Sequence, residues 1–133
     1  MTAYINENDD KQLWDANELS TGEWGFIYNK GNGLVMDVKG ASGNQGTKVI
    51  TWSKKDQNNS NQLWKHQYED GFIISQQTGF VLDIAGANRD AGTNIIVWGK
   101  KTRDNAQNQQ WTLLDTKYVD ESGLGKNIDN IHF

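Results

Sequence analysis

Asp37 and Asp83 each precede a tryptophan by 15 residues (Trp52 and Trp98), and each is followed further on by an Asn-Gln pair, Asn61-Gln62 and Asn108-Gln109. A carboxylate accepts two hydroxyl hydrogens through charge-assisted bonds. A side-chain amide donates and accepts at once. An indole offers a flat apolar face of negative potential, which suits C–H groups. Each set therefore offers a polar acceptor, a donor-acceptor amide and a flat apolar surface together. A lone Asp would read as a turn cap and a lone Trp as a minor core residue. Neither reading explains why the types recur together at fixed offsets.

The offsets come from an internal repeat. A shift of 46 residues sets Gly25-Phe26-Ile27 on Gly71-Phe72-Ile73, Gly33 on Gly79 and Val35 on Val81. The same shift matches Gly40-Ala41 with Gly86-Ala87, Gly46-Thr47 with Gly92-Thr93, Ile50 with Ile96, and Lys54-Lys55 with Lys100-Lys101. After one inserted residue, Asn61-Gln62-Leu63-Trp64 aligns with Asn108-Gln109-Gln110-Trp111. A third copy is divided between the termini. Tyr118-Val119, Gly125, Ile128 and Asp129 supply its first half, and Thr2-Ala3-Tyr4-Ile5 and Gln12-Leu13-Trp14 its second. Three Gln-x-Trp triplets result, ending at Trp14, Trp64 and Trp111. The split copy predicts that the N-terminal strand pairs beside the C-terminal segment and closes the assembly, leaving no open edges there.

Within each unit, segments such as Phe26-Ile27-Tyr28, Leu34–Val38 and Lys48–Trp52 are β-branched and aromatic and are bounded by Gly, Asn and Asp. They read as short strands joined by turns. No segment has the pattern of a long amphipathic helix. A unit of this size does not bury its apolar face alone, so the copies must pack together.

Composition narrows the function classes. The chain has 133 residues, enough for one domain with a core of its own. It contains no cysteine, which excludes disulfides and thiolate metal sites, and no proline, so 14 glycines punctuate the turns. Six tryptophans offset a hydrophobic content of only 35%. A net charge of −4 argues against nucleic acid as a partner. No apolar run approaches the roughly 20 residues of a membrane span. The polar, acidic start from Met1 to Lys11 is unlike a signal peptide, and location stays open between cytoplasmic and secreted.

The run Gly33–Val38, Gly46–Trp52 and Asn61–Trp64, with its copy from Phe80 through Trp98 to Trp111, resembles the repeat of the ricin-B-type (R-type) lectins. The resemblance covers nearly the whole chain. It implies an all-β fold, a β-trefoil of twelve strands in three lobes at about 15–64, 65–111, and 112–133 plus 1–14. It also implies binding of galactose or N-acetylgalactosamine, with no cofactor. By the same resemblance Asp37 grips two adjacent hydroxyls, Trp52 stacks on the C–H face, Asn61 donates to a hydroxyl and Gln62 orients the aspartate from behind. Asp83, Trp98, Asn108 and Gln109 repeat those roles in the second lobe. The third lobe departs from the pattern: Asp129 and Gln12 are present, but Lys11 replaces the asparagine and Glu7 or Asn8 stands nearest the Trp position. It is expected to be degenerate, leaving two sites. Trp14, Trp64 and Trp111 recur in every copy whether or not its site survives, and so read as core. Selectivity is expected from loop residues such as Lys39, Lys54, Asn88 and Arg89.

Two rival classes remain. A paired-carboxylate glycosidase needs one asymmetric acid pair, whereas the aligned acids recur one per lobe. Neither His66, placed in a linking segment, nor His132 has metal-ligand spacing, and no nucleophile elbow or phosphate loop is present. The expectation is therefore no enzyme activity. A trefoil used only for protein interaction, such as a protease inhibitor, would not need the repeated Asp–Trp–Asn–Gln set. A homodimer would multiply the sites, though the sequence specifies no interface.

Overall fold

The β-branched segments Leu34–Val38 and Lys48–Trp52 carry strands as expected, whereas of Phe26-Ile27-Tyr28 only Tyr28 lies on one. The computed structural model describes residues 2–3, 14–87, 93–114 and 130–131. Those residues hold eleven strands and no α-helix, only short 3-10 turns. In order the strands are β1 (Thr2–Ala3), β2 (Trp14–Asp15), β3 (Tyr28–Asn29), β4 (Val35–Val38), β5 (Val49–Trp52), β6 (Trp64–Gln67), β7 (Phe72–Ser75), β8 (Val81–Ile84), β9 (Thr93–Trp98), β10 (Leu113–Leu114) and β11 (Asn130–Ile131).

Two sheets result, ordered β1-β9-β8-β7-β6 and β10-β11-β2-β3-β4-β5. They meet where Lys48 bridges Ile96, and where the Gly46 and Val97 amides donate to the Val97 and Thr47 carbonyls at 2.8 and 3.0 Å. The β3–β4 loop shows why its turn residues are needed. Asn29 Oδ1 accepts the Gly31 amide at 2.9 Å, and Gly33 closes the loop at φ +73°, a left-handed geometry that favours glycine.

Closure of the split copy differs in part from expectation. Trp14 and Asp15 of β2 do pair with Ile131 and Asn130 of β11. The first strand, β1, pairs instead with Asn94 and Thr93 at the start of β9. The two ends of the chain are therefore tied down at different places, one against the second lobe. His66 also lies on a strand, β6, rather than in a link.

The core obeys the repeat. Ile27 and Ile73, Met36 and Leu82, and Val49 and Ile95 are pairs related by the 46-residue shift, and all six are fully buried in one cluster. Trp14, Trp64 and Trp111 join them at 4%, 0% and 5% exposure, as core residues should. Truncating one such ring to alanine costs about 3–5 kcal/mol.

Candidate functional site

Register builds the site. In the β4–β5 hairpin Val35 faces Trp52 and Asp37 faces Ile50. In β8–β9, Val81 faces Trp98 and Asp83 faces Ile96. Opposed residues and their diagonal neighbours share one face of an antiparallel pair. Asp37, Ile50 and Trp52 therefore lie together on the outer face, while Met36, Val38 and Val49 point into the core. Asp83, Ile96 and Trp98 repeat the arrangement. The aspartates are buried, at 4% and 3% exposure, and the tryptophans stand open at 58% and 41%. Indole rings this open are available to cover an apolar ligand face.

The Gln-x-Trp triplet grips the aspartate strand at two points. Gln62 Nε2 donates to Asp37 Oδ2 at 2.9 Å, and Trp64 Nε1 donates to the carbonyl of the preceding Met36 at 3.2 Å. Gln109 Nε2 donates to Asp83 Oδ2 at 2.8 Å, and Trp111 Nε1 to the Leu82 carbonyl at 3.1 Å. Each glutamine also holds the end of the tryptophan strand: Gln62 bonds the Ser53 carbonyl at 2.9 Å and Gln109 the Gly99 carbonyl at 3.0 Å. One buried amide thus fixes the carboxylate against the end of the tryptophan's own strand. Removing it leaves a buried carboxylate short of a donor, which costs about 1–3 kcal/mol.

Sequence reading missed Lys55 and Lys101. Lys55 donates its backbone N–H to Gln62 Oε1 at 2.9 Å and its ammonium to Asn61 Oδ1 at 2.7 Å. Lys101 does the same to Gln109 and Asn108, both at 2.9 Å. Each lysine thereby fixes which way both amides point. Asn61 Nδ2 then bonds the Val38 carbonyl at 3.2 Å. Asn108 Nδ2 bonds the Ile84 carbonyl at 3.2 Å and also Asp83 Oδ1 at 3.1 Å. The signal was the coincidence of the two Lys-Lys pairs under the repeat. The first lysine of each pair acts elsewhere, since Lys54 and Lys100 sit 4.8 and 4.7 Å from the ring centroids of Phe26 and Phe72. Lys54 covers an aromatic ring and is not among the residues lining the cavity around Asp37.

Around Asp37 the surface forms a cavity of about 500 Å³ lined by Lys39, Gly40, Ala41, Trp52, Lys55 and Asn61 among others. Its rim explains the repeated Gly-Ala. Gly40 and Ala41 have φ +65° and +52°, and Gly86 and Ala87 have φ +64° and +54°. An alanine in this region costs roughly 1–2 kcal/mol, so the same strained turn is kept in both lobes.

Burial pushes the carboxyls of Asp37 and Asp83 above the ordinary aspartate value. The bonds from Gln62 and Gln109, then the charges of Lys55 and Lys101, then the asparagine amides act in the opposite direction. The carboxylates are desolvated acceptors beside a cation, which strengthens each hydrogen bond they accept.

All eight expected residues fall into two sets, one per lobe. The third-lobe residues Asp129, Gln12, Lys11, Glu7 and Asn8 lie outside the described residues, as do Asn88, Arg89 and His132. Among the described residues, no cluster of His, Asp or Glu is placed to hold a metal, and no helix is long and apolar enough to cross a membrane.

A family model described as "Ricin-type beta-trefoil lectin domain-like" matches residues 10–98. Among solved structures, a designed 3-fold symmetric protein, ThreeFoil, is 28% identical with a TM-score of 0.70, over 81% of this chain and 75% of that one. An earthworm lectin C-terminal domain mutant, in complex with 6'-sialyllactose, is 28% identical with a TM-score of 0.55, over 67% of this chain and 62% of that one. The mdaA-1 domain shares the fold at 19% identity, TM-score 0.66, over 98% of this chain and 85% of that one. No curated protein matches the chain. The strand pattern and these likenesses make the fold a β-trefoil.

Proposed function

The chain belongs to the ricin-type β-trefoil lectin domain-like family, and on that premise we propose that it is a lectin with two sites for galactose or N-acetylgalactosamine-type sugars. Membership of a lectin-like family supports carbohydrate binding in general. The finer reading is carried by one observation: a buried carboxylate, an exposed indole and a lysine-held Asn-Gln pair occur twice in the same arrangement. Asp37 and Asp83 would accept two adjacent hydroxyls, Trp52 and Trp98 would stack on the C–H face, and Gln62 and Gln109 would hold the acids in place. Asn61 and Asn108 would meet a third hydroxyl with whatever donor capacity their backbone bonds leave. An axial hydroxyl leaves one face of galactose apolar, which suits stacking opposite a bidentate acid.

The three lobes divide as 15–64, 65–111, and 112–133 plus 1–14, with only the first two binding sugar. The acids recur one per lobe and perform no catalytic step. Single-site affinity is modest because a monosaccharide is small and well hydrated. Two sites on one rigid body raise avidity for glycans that span or cross-link them, so agglutination or targeting of galactose-containing glycans is the expected outcome. A glycan array tests the proposal. Retention of galactose-terminated glycans, lost in an Asp37→Ala/Asp83→Ala variant that keeps the wild-type circular dichroism, supports it. No glycan bound by the wild-type protein would overturn it.

A further inference from the structure

The first two lobes share their site residues but not every side chain along the seam between them. Under the 46-residue shift Gln45 falls on Ala91 and Gln77 on Gly31, so neither glutamine belongs to the repeat. Both cross the seam. Gln77, in the loop between β7 and β8, donates from Nε2 to the Ala41 carbonyl on the wall of the first cavity. Gln45, in the loop before β5, accepts the Gly99 amide through Oε1 at 2.7 Å. Gly99 directly follows Trp98, and its carbonyl takes the same Gln109 amide that holds Asp83. Beside Gln45, the backbone of Gly46 packs on the indole: a Cβ there would lie 3.4 Å from Trp98 Cζ3.

Position 99 supplies an independent observation. The first lobe has Ser53 where the second has Gly99. Both carbonyls serve the same purpose toward Gln62 and Gln109. A Cβ at residue 99, however, would sit 2.7 Å from Gln45 Oε1, inside contact distance. Glycine at this one copy of the position makes room for a side chain from the other lobe.

We propose that each sugar site is completed by its neighbour, with Gln45 a positioning residue for the second site and Gln77 for the first. Gln45 fixes the Gly99 peptide, and through it both the Trp98 ring and the Gln109–Asp83 bond. Gln77 fixes the carbonyl of Ala41 and with it that part of the wall of the first cavity. The inference rests on the two-site lectin reading for its ligand.

The two glutamines use opposite ends of the amide, which makes the test specific. A Gln→Glu change keeps an acceptor and deletes the donor. Galactose is titrated into 15N-labelled protein, with the Trp52 and Trp98 indole N–H signals reporting the first and second sites. Loss of one hydrogen bond predicts that Gln45→Ala weakens the second site about fivefold and leaves the first unchanged, while Gln45→Glu binds like wild type at both. Gln77→Ala and Gln77→Glu both weaken the first site by a similar factor and spare the second. Equal losses at both sites, or no loss in either alanine variant, would overturn the proposal. If galactose shifts neither indole of the wild-type protein, the lectin reading falls. The bracing is then decided by hydrogen exchange of the Gly99 amide without sugar. Faster exchange in Gln45→Ala but not in Gln45→Glu upholds it, and an unchanged rate in Gln45→Ala contradicts it.

Discussion

The first and second lobes build the same constellation in different surroundings. Gln62 and Gln109, Lys55 and Lys101, and Trp64 and Trp111 make matching bonds to within about 0.2 Å. The environments diverge. Lys39 lines the first cavity, where the second lobe has Ala85. Trp52 is more open than Trp98, which backs onto Gly46. The comparison teaches that the bonds fixing the aspartate are repeated most closely, while the groups reaching outward vary. On the proposed reading, two sites of one chemistry and unequal preference are expected.

The largest test separates scaffold from site. Trp64→Ala removes a fully buried ring and should lower the unfolding free energy by about 3–5 kcal/mol, read by urea denaturation, with both sites lost together. Trp52→Ala removes a ring that is mostly exposed and should leave the denaturation midpoint nearly unchanged while abolishing the first site alone. Next, Asp37→Asn keeps shape and burial but removes the charge. It should weaken galactose at the first site by about 1.5–3 kcal/mol, at least tenfold, in an NMR titration that shows the second site intact.

Acidification sharpens the same distinction. Both aspartate pKa values are raised by burial. Between the ordinary value of about 3.9 and the raised folded value, the folded protein therefore holds more protons than the unfolded chain. The contribution of these groups to stability grows as pH falls through that window and is absent above it. Sugar affinity moves the other way, because the hydroxyls need the ionised acceptor. Affinity should fall with a midpoint above about 3.9, while the difference in thermal stability between wild type and Asp37→Asn shifts in favour of wild type. The smallest effect concerns Lys39. Galactosides carrying a carboxylate or sulfate should favour the first site over the second by a few fold, with the bias reduced by salt and removed in Lys39→Ala.

Much of this was legible in the sequence because it repeats. The shift that aligns Asp37 with Asp83 also aligns their hairpin partners, so strand pairing had to bring each Asp to its Trp. The recurring Trp of each triplet was legible as core for the same reason. Lys55 and Lys101 also repeat, yet a lysine's sequence position does not say whether its ammonium faces solvent or an amide; that depends on how the 3-10 turns Ser60–Gln62 and Gln107–Gln109 fold back over the hairpins. Gln45 and Gln77 were invisible because they break the repeat, and their partners lie in another lobe. The destination of β1 escaped for a similar reason: two residues of strand carry too little pattern to choose between the second lobe and the C-terminal segment.

The most direct measurement is the calorimetric stoichiometry of galactose binding to the wild-type protein and to the Asp37→Ala and Asp83→Ala variants. Two sugars per chain in the wild type and one in each single variant are expected, with the folds unchanged by circular dichroism. One sugar per wild-type chain, or loss of both sites on removing a single aspartate, would contradict two independent sites built by the two lobes.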